Sequence, residues 1–460
     1  MKIYDALIIG AGQAGVPLAK KLAQSGRKTL LIEKRILGGT CVNDGCTPTK
    51  TLIASGRIAY LTRHSKEWGV NKDSISIDMP FIKRRKDSII LGSRQGLEEG
   101  VEDTKGLDLL YGEAVFTDFK TVSVQGRDGQ SQEIKAEYIF INTGATPVIP
   151  EIEGLSSIHY FTSTSILDLE QVPEHLLIVG AGYIALEFAQ LYRRLGSKVT
   201  ILEKSNAFLA KEDEDVADEL RKILEEEGIQ IELNAEISQV KPSGEGKILA
   251  TLKIDNQSNE IACSHLLLAS GRKPQSGSLS LDKTGVNMDE KGHIEVNDRL
   301  ETNVSGIYAL GDVKGGPAFT HVSYNDYVIV SKNLLNNTKL TTQERLIPYC
   351  IFTDPQLGRV GLSEKQAREK GYDIKVAKLP MEHVARARET GETRGFMKAV
   401  VDEKTKQILG AAIIGVDGGE IVSVLQVAMM GKLTYEQIRD GVFAHPTFSE
   451  SLNNLFMSLD

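Results

Sequence analysis

Cysteine is scarce in this sequence, and its scarcity excludes one class of protein. Only 4 of the 460 residues are cysteines, whereas small secreted domains that depend on disulfides contain many more for their length. Two of the four, Cys41 and Cys46, are close in the sequence. In the cytoplasm, where we expect this chain, such a pair indicates redox or metal chemistry rather than covalent stapling.

Long hydrophobic runs and an excess of positive charge are also missing. No apolar run reaches the roughly 20 residues of a membrane-spanning helix, so no membrane contact is expected. The net charge is −8, which disfavours a nucleic-acid partner because phosphates repel an acidic protein. The basic run 83–86 precedes several acidic residues and is predicted to be a solvated helix face.

An internal repeat is the most informative feature that is present. Residues 5–34 and 175–204 align without a gap. Each copy reads as an apolar strand, a glycine turn, an amphipathic helix, a second strand and a terminal acidic residue. Such a βαβ unit predicts a Rossmann-like domain, so two copies predict two dinucleotide sites in one chain.

The remaining segments complete the predicted fold class, which is α/β with two Rossmann-like domains and a C-terminal α+β domain. Strands at 132–142 and 260–270 are predicted to lead out of the two nucleotide-binding units, and 303–312 to be a short buried strand. The predicted domain boundaries are 1–147 together with 275–345 for the first domain, 148–274 for the second and 346–460 for the third.

The first glycine fingerprint has the context that a dinucleotide site requires. Gly10, Gly12 and Gly15 follow a strand and open a helix, and Glu33 ends the next strand. The first glycine makes the tight turn, the second admits the pyrophosphate, and the third allows close packing of helix and strand. Glu33 is predicted to accept hydrogen bonds from ribose hydroxyls.

The cysteine pair is predicted to carry the chemistry. Pro48 suits the first turn of a helix, which places Cys46 just before a helix N-terminus, where the dipole favours the thiolate. Cys41, five residues earlier, can close a small disulfide with it. A zinc site is an alternative interpretation of the pair. Cys263 and Cys350 are isolated in the sequence and provide no second close pair of ligands, so no metal site is expected. Two inert structural cysteines are a further alternative.

These motifs together resemble the pyridine nucleotide–disulfide oxidoreductases with a C-x4-C centre, a group that includes dihydrolipoamide dehydrogenase, glutathione reductase and mercuric reductase. The resemblance extends over essentially the whole chain and rests on both glycine fingerprints, residues 38–50, residues 302–312 and a final His–Pro–Thr. It implies that the first domain binds FAD, the second NAD(P), and the third mediates dimerisation.

The resemblance also implies roles for single residues. Cys46 would contact the flavin, Cys41 would exchange with substrate, and Lys50 would lie beside the isoalloxazine and pair with Glu187. Asp312 would bind the ribityl chain. The FAD contacts that it implies are Gly10, Gly12, Gly15, Glu33, Lys34, Gly39, Thr40, Lys50, Ala114, Thr143, Gly144, Asp312, Ala318 and His321.

The second fingerprint bears on the choice of nicotinamide nucleotide. The implied NAD(P) contacts are Gly180, Gly182, Tyr183, Glu203, Gly271 and Arg272. Ala185 takes the place of the third glycine in this fingerprint, and the same substitution occurs in similar enzymes that use NADPH. Glu203 favours NADH, because a carboxylate binds a 2′-hydroxyl but repels a 2′-phosphate; NADPH stays the alternative. Tyr183 would be a gate over the flavin or a packing aromatic.

Two interpretations apply to the C-terminal motif at residues 445–450. Thr447 and Glu450 have the spacing of a capping box that starts a helix. The resemblance instead implies that His445 and Glu450 form an acid–base dyad that moves the proton of the exchanging thiol. Because the family takes this dyad from the partner subunit, a homodimer with two composite sites is implied.

Three groups of related enzymes suggest different substrates for this chain. Residues 352–356 and 393–396 resemble mercuric reductase, but a C-terminal cysteine pair is absent. Dihydrolipoamide dehydrogenase, the alternative, differs at 320–327. The best overall resemblance is to the reactive-chlorine-resistance flavoproteins, through 315–327 and 449–456. The implied substrate is a small disulfide, dithiol, oxidant or thiophilic metal ion. A flavin-binding redox sensor with incidental turnover is an alternative from another class.

Overall fold

The computed structural model describes residues 1–255, 257–343 and 345–460. Its strands are β1 Lys2–Ile9, β2 Thr29–Glu33, β3 Leu107–Asp118, β4 Thr121–Gly126, β5 Ser131–Ile141, β6 Ala145–Pro147, β7 Phe161–Thr162, β8 His175–Val179, β9 Lys198–Leu202, β10 Ile229–Glu232, β11 Ala235–Ser243, β12 Lys247–Ile254, β13 Gln257–Cys263, β14 His265–Leu268, β15 Arg272–Pro274, β16 Ile307–Ala309, β17 Tyr349–Ile351, β18 Gln356–Gly361, β19 Ile374–Pro380, β20 Phe396–Asp402 and β21 Ile408–Gly415. Its helices are α1 Gly15–Gln24, α2 Gly39–Asn43, α3 Cys46–His64, α4 Met79–Glu102, α5 Tyr183–Leu195, α6 Glu214–Glu226, α7 Thr320–Asn336, α8 Glu364–Glu369, α9 Ala385–Glu389, α10 Gly418–Met430, α11 Tyr435–Arg439 and α12 Ser451–Met457.

The first glycine fingerprint lies at the end of a mostly parallel sheet. Its central strand β1 is continuously apolar over residues 6–9 and is buried on both faces, as expected for a parallel strand covered by helices. β1 pairs in parallel with β2 and with β5, and β16 adds to the far side of β5. The predicted strands at 132–142 and 303–312 are therefore confirmed, with β5 and β16 as their observed limits.

The second fingerprint lies at the end of a parallel sheet of five strands, in the order β10-β9-β8-β14-β7. The single strand predicted for 260–270 is wrong. The chain instead forms β13, which pairs antiparallel with β12, and β14, which pairs in parallel with β8. Ser264 lies between them and exchanges hydrogen bonds with the backbone of His175, because the chain changes sheets at this residue.

The C-terminal part is an antiparallel sheet, β17-β18-β21-β20-β19, covered by α10 and α12. Within it, β20 and β21 form an antiparallel hairpin. The predicted fold class, with two Rossmann-like sheets and a C-terminal α+β part, is thereby confirmed. The short pair β6–β15 lies at the predicted boundaries near 147 and 274, which themselves remain a prediction.

The basic run on α4 is not a uniformly solvated face. Lys86 is only 2% exposed, and its ammonium binds the backbone oxygen of Leu167 and the carboxylate of Asp168. The prediction is wrong for this residue because α4 packs against the segment that enters the second Rossmann-like sheet. Over the described ranges, no helix combines the length and the apolar character needed to cross a membrane.

Candidate active site

One large cavity, with a volume of about 560 Å³, runs from the first glycine turn past the cysteine pair to the C-terminal sheet. Its size is typical of cofactor sites. The structure brings most of the sequence-predicted residues to its wall. These are Gly10, Gly12, Glu33, Lys34, Gly39, Thr40, Cys41, Cys46, Lys50, Ala114, Thr143, Gly144, Tyr183, Glu187, Arg272, Asp312, Ala318 and His321.

The first glycine turn fits the pyrophosphate and ribose of FAD. Gly10 has a φ of +102°, which few other residues tolerate. A Cβ on Gly39 would lie 2.8 Å from the Cα of Gly12, so the two glycines leave backbone uncovered for a close ligand. Glu33 is fixed there because it accepts hydrogen bonds from Ala11 N at 2.9 Å and Arg35 N at 2.7 Å.

Two further observations at this turn support the fit. Gly15 does not line the cavity; a Cβ there would lie 2.1 Å from Gly10 O, so its role is the packing of α1 against the turn. Thr143 lines the cavity with a buried hydroxyl that has no hydrogen-bond partner within the described part of the chain. A buried polar atom without a partner is rare and indicates a ligand that satisfies it.

The cysteine pair lies at two consecutive helices. Cys41 is inside α2, and Cys46 is the first residue of α3, one position further into the helix than predicted. The Cys46 sulfur lies 3.4 Å from the hydroxyl of Thr320, the first residue of α7. Both cysteines are free thiols in this structure.

The two thiols have pKa values shifted in opposite directions. A hydrogen bond from the Cys41 thiol lowers the pKa of Cys46 to about 6, and the Thr320 hydroxyl and the charge of Lys50 act in the same direction against burial. The same bond, together with burial, raises the pKa of Cys41. At neutral pH Cys46 is therefore the thiolate and Cys41 the protonated thiol.

Lys50 and Glu187 form an ion pair at the wall of the cavity. Lys50 Nζ lies 2.7 Å from Glu187 Oε2, and the glutamate side chain is 2% exposed. The other glutamate oxygen, Oε1, accepts from Phe352 N at 3.0 Å. The pair joins α3 of the first Rossmann-like sheet to α5 of the second.

Asp312 lies in a loop that a second carboxylate holds in place. Burial raises the pKa of Asp312. The fully buried Asp326 accepts from Gly311 N at 2.9 Å and pairs with Lys314 at 3.4 Å and with Arg345 at 2.7 Å. Asp326 therefore fixes the turn that points Asp312 towards the cavity wall, a role that the sequence did not indicate.

Tyr183 lines the cavity beside a group of stacked rings. Its ring centroid is 5.8 Å from that of Phe319, which stacks on His321 at 5.3 Å and on Tyr349 at 5.6 Å. Burial raises the pKa of Tyr183 to about 12. These aromatic faces offer a surface for a flat ring such as nicotinamide.

The second glycine turn repeats the geometry of the first. Gly180 has a φ of +101°, and Glu203 accepts from Ala181 N at 2.9 Å and from Ser205 N at 2.8 Å. A Cβ on Gly182 would meet no atom within 4 Å, so the backbone is open to a ligand. Gly180, Gly182 and Glu203 do not line the large cavity, and neither does Gly271, although the neighbouring Arg272 does.

His445 and Glu450 lie together but outside the cavity of their own chain. His445 Nδ1 is 2.9 Å from Glu450 Oε2, and the histidine side chain is 69% exposed. The capping-box prediction is wrong in one respect. Thr447 Oγ1 accepts from Glu450 N, but the glutamate carboxylate binds the imidazole instead of bonding back to the Thr447 backbone, and α12 begins after it.

Comparisons with known proteins agree with this geometry over the whole chain. The family model for pyridine nucleotide-disulphide oxidoreductases matches residues 4–326, and the model for the dimerisation domain of the same family matches residues 347–456. The probable pyridine nucleotide-disulfide oxidoreductase RclA of Escherichia coli strain K12 is 40% identical over 460 residues, covering 99% of both chains.

Other relatives are similar over nearly the whole of this chain. A mercuric reductase of Staphylococcus aureus is 35% identical, covering 99% of this chain and 82% of that protein. A dihydrolipoyl dehydrogenase of Chlamydia pneumoniae is 35% identical, covering 97% and 95%. The Cu(II) complex of the HOCl-induced flavoprotein disulfide reductase RclA from Escherichia coli superposes with a TM-score of 0.92 at 38% identity, covering 100% of both chains.

Proposed function

Because the chain belongs to the pyridine nucleotide–disulphide oxidoreductase family, we propose that Cys41 and Cys46 are its redox-active centre. It is a FAD-dependent disulfide oxidoreductase of the RclA and mercuric reductase type, and its family uses FAD and NAD(P)H. The observation that carries the proposal is that both thiols lie in one cavity with the Lys50–Glu187 ion pair, with the Cys46 sulfur 3.4 Å from the Thr320 hydroxyl. The opposite directions of the two thiol pKa shifts support it.

Bound FAD supplies the two-electron relay between NAD(P)H and the cysteine pair. The turn at residues 10–15, Glu33 and the loop of Asp312 would hold it by pyrophosphate, ribose and ribityl chain. Lys50, fixed by Glu187, would place a positive charge beside its ring system. Cys46, at the start of α3, provides the thiolate of the pair and would face the flavin.

Cys41 is the sulfur that would exchange with a disulfide substrate. Its sulfur forms a mixed disulfide and releases one substrate thiol; Cys46 then attacks Cys41, re-forming the internal disulfide and releasing the second thiol. Because the pKa of Cys41 is raised, the thiol needs a base to react at neutral pH. The partner's His445, oriented by Glu450 of the partner subunit, would take this proton and return it to the leaving thiolate.

In a dimer, the His445–Glu450 dyad of one chain would complete the active site of the other. The dyad is exposed and does not line its own chain's cavity, and residues 347–456 match a dimerisation domain. We therefore propose a homodimer whose two sites each combine a cysteine pair with the dyad of the other chain. The protein would act in the cytoplasm, where NAD(P)H is plentiful and its thiols stay reducible.

NADH is the proposed electron donor in preference to NADPH. Glu203 presents a carboxylate, held by two backbone N–H groups, at the place where the ribose binds in Rossmann-like domains. Its negative charge would repel a 2′-phosphate. The proposed acceptors are small disulfides, oxidants or thiophilic metal ions, in keeping with the Cu(II)-bound and mercury-reducing relatives.

Steady-state oxidation of NADH by the pure FAD-loaded protein tests this function. We expect turnover with a disulfide reagent, with Cu(II) or with hypochlorite, lower turnover with NADPH, and loss of disulfide reduction in Cys46→Ser. FAD-loaded protein that oxidises neither nucleotide with any of the three acceptors would contradict the enzyme and favour a flavin-binding sensor.

A further inference from the structure

Phe352 contacts both members of the Lys50–Glu187 pair. Its backbone N–H donates to Glu187 Oε1 over 3.0 Å, and Lys50 Nζ lies 4.7 Å from the centroid of its ring. The ammonium therefore has a carboxylate and an aromatic face within reach at once, and both attract a cation.

The segment that contains Phe352 is fixed by one face of α5. Gln190 and Arg194 follow Glu187 at helical spacings, and both are at least 95% buried. Gln190 accepts from Asp354 N at 2.7 Å and donates to Asp354 O at 2.9 Å, and Arg194 binds the Asp354 carboxylate. Displacing the backbone of this segment would break these buried bonds, so they fix the backbone position from which the Phe352 ring projects.

A second segment of the C-terminal part, which contains Arg394, reinforces the contacts that fix the segment of Phe352. Arg394 lies 3.0 Å from Glu227 Oε1, and Arg194 binds the same oxygen at 2.7 Å. Arg194 also stacks over Tyr60 of α3, 4.0 Å from the ring centroid. Arg394 also donates to Asp354 O at 3.4 Å, so the two mercuric-reductase-like segments of the sequence, 352–356 and 393–396, contact each other next to Arg194.

We propose that Phe352 is a positioning residue that holds the Lys50 ammonium on Glu187 at the cavity wall beside Cys46. The long lysine side chain is 30% exposed, and an ammonium group that reaches water is strongly hydrated. Without the ring, the ammonium swings towards water and away from the sulfur. The inference rests on the proposed function, in which Lys50 is the cation of the active site.

The pKa of Cys46 depends on the position of the Lys50 ammonium. The titratable and charged groups that face this region are Cys41 on α2, Lys50 on α3, Tyr183 and Glu187 on α5, and Cys350 on β17. Of these, only Lys50 brings a positive charge. Displacing it removes one of the contributions that lower the pKa of Cys46.

The test is the pH dependence of Cys46 alkylation in the reduced holoenzyme, followed by mass spectrometry of the Cys46 peptide. Phe352→Leu, which keeps apolar bulk but removes the aromatic face, should raise the pKa of Cys46 by about 0.5 and halve the alkylation rate near pH 6, on the order of a modest cation–π contact. Phe352→Tyr should retain the wild-type value. Phe352→Met provides the same comparison if the leucine variant does not fold.

A double-mutant cycle with Lys50→Met decides the mechanism. Phe352→Leu should have no further effect when the ammonium is already absent. An equal shift in both backgrounds, or none in either, overturns the role of Phe352. Phe119→Leu is the matched control, because it removes the exposed ring under Lys120 and should change nothing. A wild-type Cys46 that titrates near 9 would instead contradict the proposed function.

Discussion

Thr320 is the residue that most directly shapes the reactivity of Cys46 apart from its partner cysteine. Its hydroxyl lies 3.4 Å from the sulfur. A hydroxyl that donates to a thiolate stabilises the charged form and so lowers the pKa. The two residues are 274 positions apart in the sequence, and no local pattern links them.

Thr320→Val should therefore raise the pKa of Cys46 above its value of about 6, because the isosteric methyl group cannot donate. In the wild-type protein the alkylation rate of Cys46 should rise with pH through about 6 and level off. In the variant the curve should move to higher pH by roughly 0.5 to 1, the effect of one charge-assisted hydrogen bond. Thr320→Ser should keep the wild-type curve, and a valine curve that coincides with it would contradict this role.

The residues that could be predicted from the sequence share a local signal. Gly10, Glu33 and Cys46 stand out because the βαβ unit and the close cysteine pair are contiguous patterns. Thr320 and Phe352 were not predicted as site residues, because their partners come from other parts of the chain. Asn142 was missed for the same reason. It bonds residues that are 127 and 168 positions away.

At the scale of elements, Asn142 joins two parts of the proposed FAD site. Its Oδ1 accepts from Gly15 N at 2.9 Å, at the start of α1, and its Nδ2 donates to Leu310 O at 2.9 Å, just after β16. The glycine turn and the loop of Asp312 are thereby held in one arrangement. These are the two ends of the site that would grip the pyrophosphate and the ribityl chain.

Asn142→Ala should weaken FAD binding about tenfold, because it leaves a buried donor and a buried acceptor unpaired. The dissociation constant, followed by quenching of FAD fluorescence in reconstituted protein, measures the effect. Asn303→Ala is the matched control; its side chain also makes two backbone hydrogen bonds, to Asn287 and Gly285, away from the cavity. Equal losses in both variants would show a general loss of stability instead.

The elements themselves could largely be predicted, with exceptions where tertiary contacts decide. The apolar runs of β1 and β8 and the glycines after them define two parallel sheets. The split of 260–270 into β13 and β14 could not be predicted, because the strands belong to different sheets and only Ser264 separates them. Lys86 was assigned to a solvated face, because sequence alone does not show that α4 packs beside Asp168.

At the scale of the whole molecule, each proposed active site uses residues of two chains. A purified hybrid dimer of one Cys46→Ser chain and one His445→Ala chain should have about half of the wild-type turnover, since one composite site remains intact. Each homodimeric variant should be nearly inactive in disulfide reduction. A hybrid without activity would mean that the cysteine pair and His445 act within the same chain.

Electrons from NADH are expected to reach the Cys41/Cys46 pair and to leave Cys46 as a thiolate next to FAD. Anaerobic titration of the pure holoenzyme with NADH and, separately, with NADPH, followed by absorbance, tests it most directly. We predict a long-wavelength thiolate-to-flavin band at two electrons per chain, reached more readily with NADH and absent from Cys46→Ser. Direct bleaching of the flavin without that band would contradict the account, because the cysteines would then not be coupled to the cofactor.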